Sequence, residues 1–187
     1  TGRNTTYSTF SNTACATTPA PPAPPPNAPS ATDAVPQGSS AVGVTWTDNS
    51  TNEDGFRVER SLDGGTSWAR VSTTATNVRS FQDAGRSSEQ QVCYHVIAFN
   101  VDGDSPPSNT DCTTPPAAPT NLAGAPVGGS AVDLSWTDNS VVEDGYEIQR
   151  GGGGGNWRVV ATVPASTNSY HDAGVSPDQR DWDVRRA

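Results

Sequence analysis

The sequence contains no methionine and no lysine, so each of its basic residues other than histidine is an arginine. Acidic residues outnumber arginines by 20 to 11, which gives a formal net charge of −9 and a pI near 4.4. Binding to a phosphate backbone requires a basic face. The acidic balance therefore excludes nucleic acid from the expected partners.

Long apolar runs are also missing. Only 32% of the residues are hydrophobic and the mean hydropathy is −0.59, and no stretch approaches the ~20 apolar residues that cross a bilayer. We expect no membrane insertion. The first residues lack the apolar segment of a signal peptide, and the chain begins at Thr1 without a methionine. These features predict a processed product or an internal piece of a longer protein.

A repeat with a period of about ninety residues organises the chain of 187 residues. The segment WTDNSTNEDGF at 46–56 returns as WTDNSVVEDGY at 136–146, and SFQDAG at 80–85 returns as SYHDAG at 169–174. The order and the spacing of these blocks are kept. We interpret them as two copies of one small domain.

Within each copy the apolar residues alternate with small or polar ones, as in V-x-V-x-W at 42–46 and V-x-L-x-W at 132–136. Alternation with a period of two predicts antiparallel strands with one buried face, packed as a sandwich. The many glycines and prolines, 18 and 16, suit short strands joined by turns. The predicted core consists of Trp46, Phe56, Tyr94, Val96, Trp136, Tyr146, Trp182 and Val184.

Several of these positions occur together in a known family. Trp46, Phe56, YHVIA at 94–98 and NVDGDSPPS at 100–108 resemble a fibronectin type III module, and DWDV at 181–184 matches the same pattern in the second copy. The likeness is greatest to the bacterial secreted kind. The resemblance implies an all-β fold of tandem immunoglobulin-like β-sandwiches.

Proline-rich segments set the predicted domain boundaries, because consecutive prolines favour a stiff polyproline II linker. We expect the last strand of a preceding, truncated module at 1–18, a Pro-rich linker at 19–28, a module at 29–115, and a second module without its last strand at 116–187.

The cysteines carry a prediction about pairing and about compartment. Cys93 and Cys112 fall on the last two strands of the first module, which a sandwich places side by side, and we expect a disulfide between them. Such a bridge implies an extracellular location, either secreted or on the cell surface. Cys15 matches the position of Cys112, so it is a candidate for an inter-module bond or a free thiol.

The two chain ends allow two hypotheses. The sequence is a window from a long array of modules, or the strand at 5–16 completes the open edge of the truncated module in a neighbouring chain. The second hypothesis predicts head-to-tail filaments formed by strand addition.

Carboxylates cluster once in each copy and are weak candidates for calcium ligands. The spacing in DNSTNEDG lacks the glycine and the distant glutamate of an EF-hand loop, so loops that cap their own amides are favoured. We expect no metal and no cofactor. The candidate residues are Asp48, Glu53, Asp54, Asp138, Glu143 and Asp144.

No arrangement of residues predicts catalysis. The two histidines lie in different copies, and His95 is predicted to face solvent because it alternates with Tyr94. Five glycines at 151–155 precede no Gly-Lys-Ser motif and predict a hairpin turn. Trp68, Trp157 and Trp182 could stack on sugar rings, although packing is favoured. The segment NST at 49–51 matches the acceptor for N-glycosylation.

The functional prediction is a non-catalytic, extracellular array of modules that acts as a structural spacer or in adhesion. The expected partners are neighbouring modules, copies of the same protein and cell-surface glycans. The alternative is a set of accessory modules in a secreted enzyme that degrades polysaccharides.

Overall fold

A computed structural model describes residues 2, 14–18, 21–22, 24–151, 156–176 and 181–186. Within these ranges the chain forms fourteen β-strands and no helix. The described segments accordingly include no helix capable of spanning a membrane. The strand predicted at 5–16 falls mostly outside the described residues.

The first module consists of two antiparallel sheets that pack face to face. One sheet has the order β1-β2-β5, and the other has the order β4-β3-β6, in which β6 also pairs with β7 and β8. The strands are β1 (Ser30–Pro36), β2 (Ala41–Thr47), β3 (Gly55–Ser61), β4 (Ala69–Ala75), β5 (Ser80–Ala84), β6 (Val92–Asn100), β7 (Gly103–Asp104) and β8 (Asp111–Thr113).

The second module repeats this plan with the sheets β9-β10-β13 and β12-β11-β14. Within the described ranges β14 is an edge strand, at the position that β6 occupies in the first module. The strands are β9 (Thr120–Val127), β10 (Ala131–Thr137), β11 (Gly145–Gly151), β12 (Trp157–Pro164), β13 (Ser169–Ala173) and β14 (Asp181–Arg186).

Each module has its own hydrophobic core, built from the alternating residues of both sheets. The rings of Trp46 and Phe56 lie 5.6 Å apart, and those of Trp136 and Tyr146 lie 5.5 Å apart. Trp182 is half-buried and packs against the second core from its rim. The other seven predicted core residues are buried, namely Trp46, Phe56, Tyr94, Val96, Trp136, Tyr146 and Val184.

A buried aspartate anchors β6 in the first module and β14 in the second. The carboxylate of Asp83 accepts hydrogen bonds from the Tyr94 hydroxyl and from Arg60, each at 2.8 Å. In the second module the indole Nε1 of Trp182 donates to Asp172 at 2.9 Å. Tyrosine and tryptophan can exchange here because each keeps a donor at the end of an apolar ring.

The glycine of each EDG segment permits close approach of two strands. A Cβ on Gly55 would collide with the carbonyl oxygen of Thr74 on β4, and one on Gly145 would collide with that of Val163 on β12. Glycine is the residue that avoids the collision. The repeated motif is therefore explained in part by strand packing.

Candidate functional site at the module junction

Glu89 joins the two modules. It lies in the turn between β5 and β6, and its backbone amide donates to the carbonyl of Pro115 at 2.7 Å. Its carboxylate accepts hydrogen bonds from the amide of Ala117 at 2.8 Å, the hydroxyl of Ser140 at 2.7 Å and the amide of Val141 at 3.2 Å. One side chain thus connects the first module, the linker and the second module. We call this set of contacts the Glu89 clasp.

The backbone and the charge of Glu89 are both unusual. Its φ is 60°, in the left-handed region that a non-glycine residue enters at a cost. Desolvation at the junction raises the pKa of Glu89, but the hydrogen bonds from Ser140, Ala117 and Val141 outweigh it, so the pKa lies below its ordinary value of 4.5. The clasp therefore favours the ionised carboxylate.

The loop of the second module that receives Glu89 is held by its own carboxylates. Asp138 accepts a hydrogen bond from the amide of Ser140 at 3.0 Å and another from the hydroxyl of Tyr146. Glu143 is buried and accepts from the amide of Ser166 at 3.0 Å. These contacts direct the Ser140 hydroxyl toward the first module.

The first module uses its acidic loop in the same way. Asp48 accepts from the amide of Ser50 at 3.0 Å, and Glu53 accepts from the amide of Asn77 at 3.3 Å. Asp54 and Asp144 are exposed. The described residues contain no group of three side chains arranged to hold a metal ion. Four of the six calcium candidates, Asp48, Glu53, Asp138 and Glu143, thus use their carboxylates to bind backbone amides or hydroxyls.

An asparagine in each module fastens the linker that precedes it. The side-chain amide of Asn49 donates to the carbonyl of Ala28 at 2.9 Å and to the hydroxyl of Ser30 at 3.0 Å. Asn139 donates to the carbonyl of Ala118 and the hydroxyl of Thr120, both at 2.9 Å. Asn49 is the acceptor of the sequon at 49–51, and a glycan would be attached to its side-chain nitrogen. In the structure that nitrogen donates the hydrogen bonds that hold the linker.

Cys93 and Cys112 form a disulfide between paired positions of β6 and β8, with their Cα atoms 4.0 Å apart. The bond ties the short last strand of the first module to its sheet. In the second module β14 begins with Asp181 at the corresponding position. Cys15 is exposed and carries a free thiol.

The prediction that His95 faces solvent is wrong. The side chain does point away from the core that contains Tyr94, but Trp68 folds over it, with ring centroids 3.8 Å apart. His95 is 8% exposed, and its Nε2 lies 2.9 Å from a carboxylate oxygen of Glu59. Two-residue alternation identifies the face of a sheet but not what covers that face. Trp157, the counterpart of Trp68, is 43% exposed.

Sequence reasoning did not identify Glu89. The available signal is an acidic residue in corresponding turns, SSEQ at 87–90 and SPDQ at 176–179. This signal is weak, because an acidic residue in a polar turn is ordinary. The contacts of Glu89 depend on how the two modules are arranged.

Similarity to one solved structure supports the fold. No model of a known protein family matches the chain, and no curated protein matches it. Among solved structures, the FN1–FN3 domains of chicken CNTN1 align with a TM-score of 0.55 and 23% identity, over 87% of this chain and 62% of that one. This chain therefore spans less than two thirds of that structure. A two-domain fibronectin type III segment of chicken tenascin aligns with a TM-score of 0.45 and 18% identity, over 83% of this chain and 87% of that one.

The fold class predicted from the sequence is confirmed. The chain is all-β and has the architecture of tandem fibronectin type III sandwiches. At this level of identity the similarity defines the fold alone, and function has to be argued from the junction.

Proposed function

We propose that the chain is a non-catalytic, extracellular segment that holds fibronectin type III modules of the bacterial secreted kind at a set spacing and angle. It would act as a structural spacer or as part of an adhesion array. The observation that carries the proposal is the Glu89 clasp, because a flexible tether would need no side chain shared between two modules.

The linker between the modules supports the same role. Six residues separate the end of β8 from the start of β9, and two of them, Pro115 and Pro116, are buried. Proline restricts the backbone and burial removes further freedom. Together with the clasp, these features favour one preferred angle between the modules.

The disulfide supports an extracellular location. Disulfides persist in oxidising compartments and are rare in the cytosol, and this one joins β6 to β8. Mass spectrometry of the protein isolated without reductant from its native host tests the location. A Cys93–Cys112 bridge is expected, whereas two free thiols would contradict it.

Single-molecule energy transfer tests the proposed spacing. Dyes are placed on cysteines introduced at the exposed positions Thr73 and Ser176, in a Cys15→Ser background. We expect one narrow distance distribution for the parent chain and a broader one for Glu89→Ala. A broad distribution that is the same in both proteins would refute the set angle.

Glycan contact is a second candidate, which would suit either an adhesion array or the accessory modules of a secreted polysaccharide-degrading enzyme. Trp157 and Val159 on β12 are 43% and 52% exposed, and an exposed aromatic face can stack on a sugar ring. Retention on insoluble polysaccharides that is lost in Trp157→Ala would support this candidate. Equal passage of both proteins through the column would exclude it.

Filament formation by strand addition remains a proposal. Its support is the outer edge of β14, which pairs with no other strand within the described ranges. An exposed edge strand presents unpaired backbone N–H and C=O groups, with which a strand of another chain can pair. Size-exclusion chromatography over a range of concentrations tests it: larger species that grow with concentration are expected, and a strict monomer would contradict the idea.

A further inference from the structure

We propose that the first module contains a binding site for a proline-rich segment, and that this site takes residues 24–29 of the chain's own linker. The site would fix the direction in which the proline-rich spacer leaves the module. This inference goes beyond the spacer role, because the site is separate from the Glu89 clasp and can be tested without it.

The chemistry of the ligand defines what such a site must provide. The segment reads PPPNAP, and proline has no amide hydrogen to donate. A polyproline II segment has no internal hydrogen bonds, so its carbonyl oxygens are available to a partner. A site for it therefore needs side-chain donors and a surface that accepts the proline rings.

Two asparagines of the first module converge on one carbonyl of this segment. Asn52, in the loop between β2 and β3, donates from its side-chain amide to the carbonyl of Pro24 at 2.8 Å. Asn100, at the end of β6, donates to the same carbonyl at 3.1 Å. Two side chains that are far apart in the sequence thus donate hydrogen bonds to the same backbone oxygen.

The next residues of the segment are also bound. Pro25 lies against Gly103, where an added Cβ would sit 3.4 Å from the proline ring, and Pro26 is buried. Asn27 donates to the backbone carbonyl of Asn49 at 3.1 Å, while the side chain of Asn49 binds the segment at Ala28. Contacts therefore run along the whole segment up to the start of β1.

Contacts within the first module orient the side-chain amides of Asn52 and Asn100 independently of the linker. The side-chain oxygen of Asn52 accepts from the hydroxyl of Ser50 at 2.9 Å. The side-chain oxygen of Asn100 accepts from the amides of Asp102 at 2.9 Å and Gly103 at 3.1 Å. With each oxygen held by its own loop, each amide group faces the linker. Such preorganisation reduces the ordering cost of binding.

The second module shows that this site is not a general property of the repeat. Asn139 fastens the linker that precedes its module, as Asn49 does. However, Val142 stands where the first module has Asn52, and Glu89 contacts this loop instead. The β10–β11 loop of the second module thus binds the adjoining module, whereas the corresponding β2–β3 loop of the first module binds the proline-rich segment.

A pair of isosteric substitutions tests the site. Asn52→Asp with Asn100→Asp keeps both side-chain oxygens that hold the loops, but it removes the amide donors and turns carboxylate oxygens toward the carbonyl of Pro24. The matched control is Asn156→Asp with Asn168→Asp, which adds the same charge at exposed positions of the second module.

Carbon-detected NMR relaxation of the full chain provides the measurement, because it observes prolines directly. In the parent chain and the control, we expect Pro24, Pro25 and Pro26 to be as rigid as the strands of the first module. In the Asn52→Asp/Asn100→Asp variant, Pro24 and Pro25 should become as mobile as a free peptide, while the buried Pro26 and the signals of Trp46 and Phe56 stay unchanged. Pro24 and Pro25 that are mobile in the parent chain, or still rigid in the variant, would overturn the proposal.

Discussion

Replacing Glu89 by alanine should weaken the second module although the residue belongs to the first. The change removes the acceptor for the amides of Ala117 and Val141 and for the hydroxyl of Ser140. The prediction concerns the free energy of unfolding of the second module, measured in the intact chain.

The size of the effect follows from the contacts. A hydrogen bond to a charged group contributes roughly 1.5–3 kcal/mol when it is buried, and less where solvent competes. Because Glu89 is largely exposed and its partners can bind water in its absence, we expect a total loss of about 1–2 kcal/mol. About 1 kcal/mol of this should be direct coupling with Ser140.

A double-mutant cycle isolates that coupling. Glu89→Ala, Ser140→Ala and the combined variant are unfolded in urea, and resolved NMR signals of β10 and β11 report on the second module. Ser50→Ala is the matched control, because Ser50 is the counterpart of Ser140 but binds Asn52 instead of Glu89. Glu89→Ala should show no coupling with Ser50→Ala.

The cycle also predicts a pH dependence. Because the pKa of Glu89 is lowered in the folded chain, its contribution should be complete above its ordinary value of 4.5 and should be lost as the pH falls through the lower folded value. Effects of Glu89→Ala and Ser140→Ala that add within about 0.3 kcal/mol at neutral pH would refute the clasp.

Three further predictions concern stability and titration. Removing the bridge between Cys93 and Cys112, which are 19 positions apart, should destabilise the first module by about 3 kcal/mol in urea unfolding, and a loss below about 1 kcal/mol would contradict this. Asp83→Ala should cost the same module about 3 kcal/mol, because it leaves buried donors without their acceptor; an unchanged urea midpoint would argue against the anchor. Burial is the main cause that raises the pKa of Tyr94 and Tyr146, and a hydrogen bond from each hydroxyl to an aspartate is the second. We therefore expect these two of the four tyrosines to ionise only when the chain unfolds in alkali. Stability should accordingly fall as the pH rises above the ordinary tyrosine value of 10.0, and tyrosinate absorbance that reports four ordinary groups in the folded chain would contradict the prediction.

Much of the fold could be predicted because the signal is local and occurs twice. Alternation along V-x-V-x-W and V-x-L-x-W identifies which residues enter each core, and the same residues are buried in the structure, with Trp46 and Trp136 at 4% and 5% exposure. The period of the repeat shows that there are two cores. The adjacent strands of a sandwich then bring Cys93 and Cys112 together.

The junction could not be predicted because it depends on how separate loops meet. Glu89 contacts Ser140 across 51 positions, and no local pattern encodes the relative orientation of two modules. The cover that Trp68 provides for His95 has a similar origin, since it depends on how the β3–β4 hairpin folds over the sheet. The contacts of Asp48 with Ser50 and of Asp138 with Ser140 do have a local signal in the sequence, because each aspartate stands two residues before the amide that it binds.

Residual dipolar couplings of the intact chain test the central claim most directly, because they report whether the two sandwiches share one orientation. We expect a single alignment tensor to fit the amides of both modules in the parent chain. Glu89→Ala should yield two tensors of different magnitude. Two independent tensors in the parent chain itself would show that the modules reorient freely, and a set angle between them could then no longer be maintained.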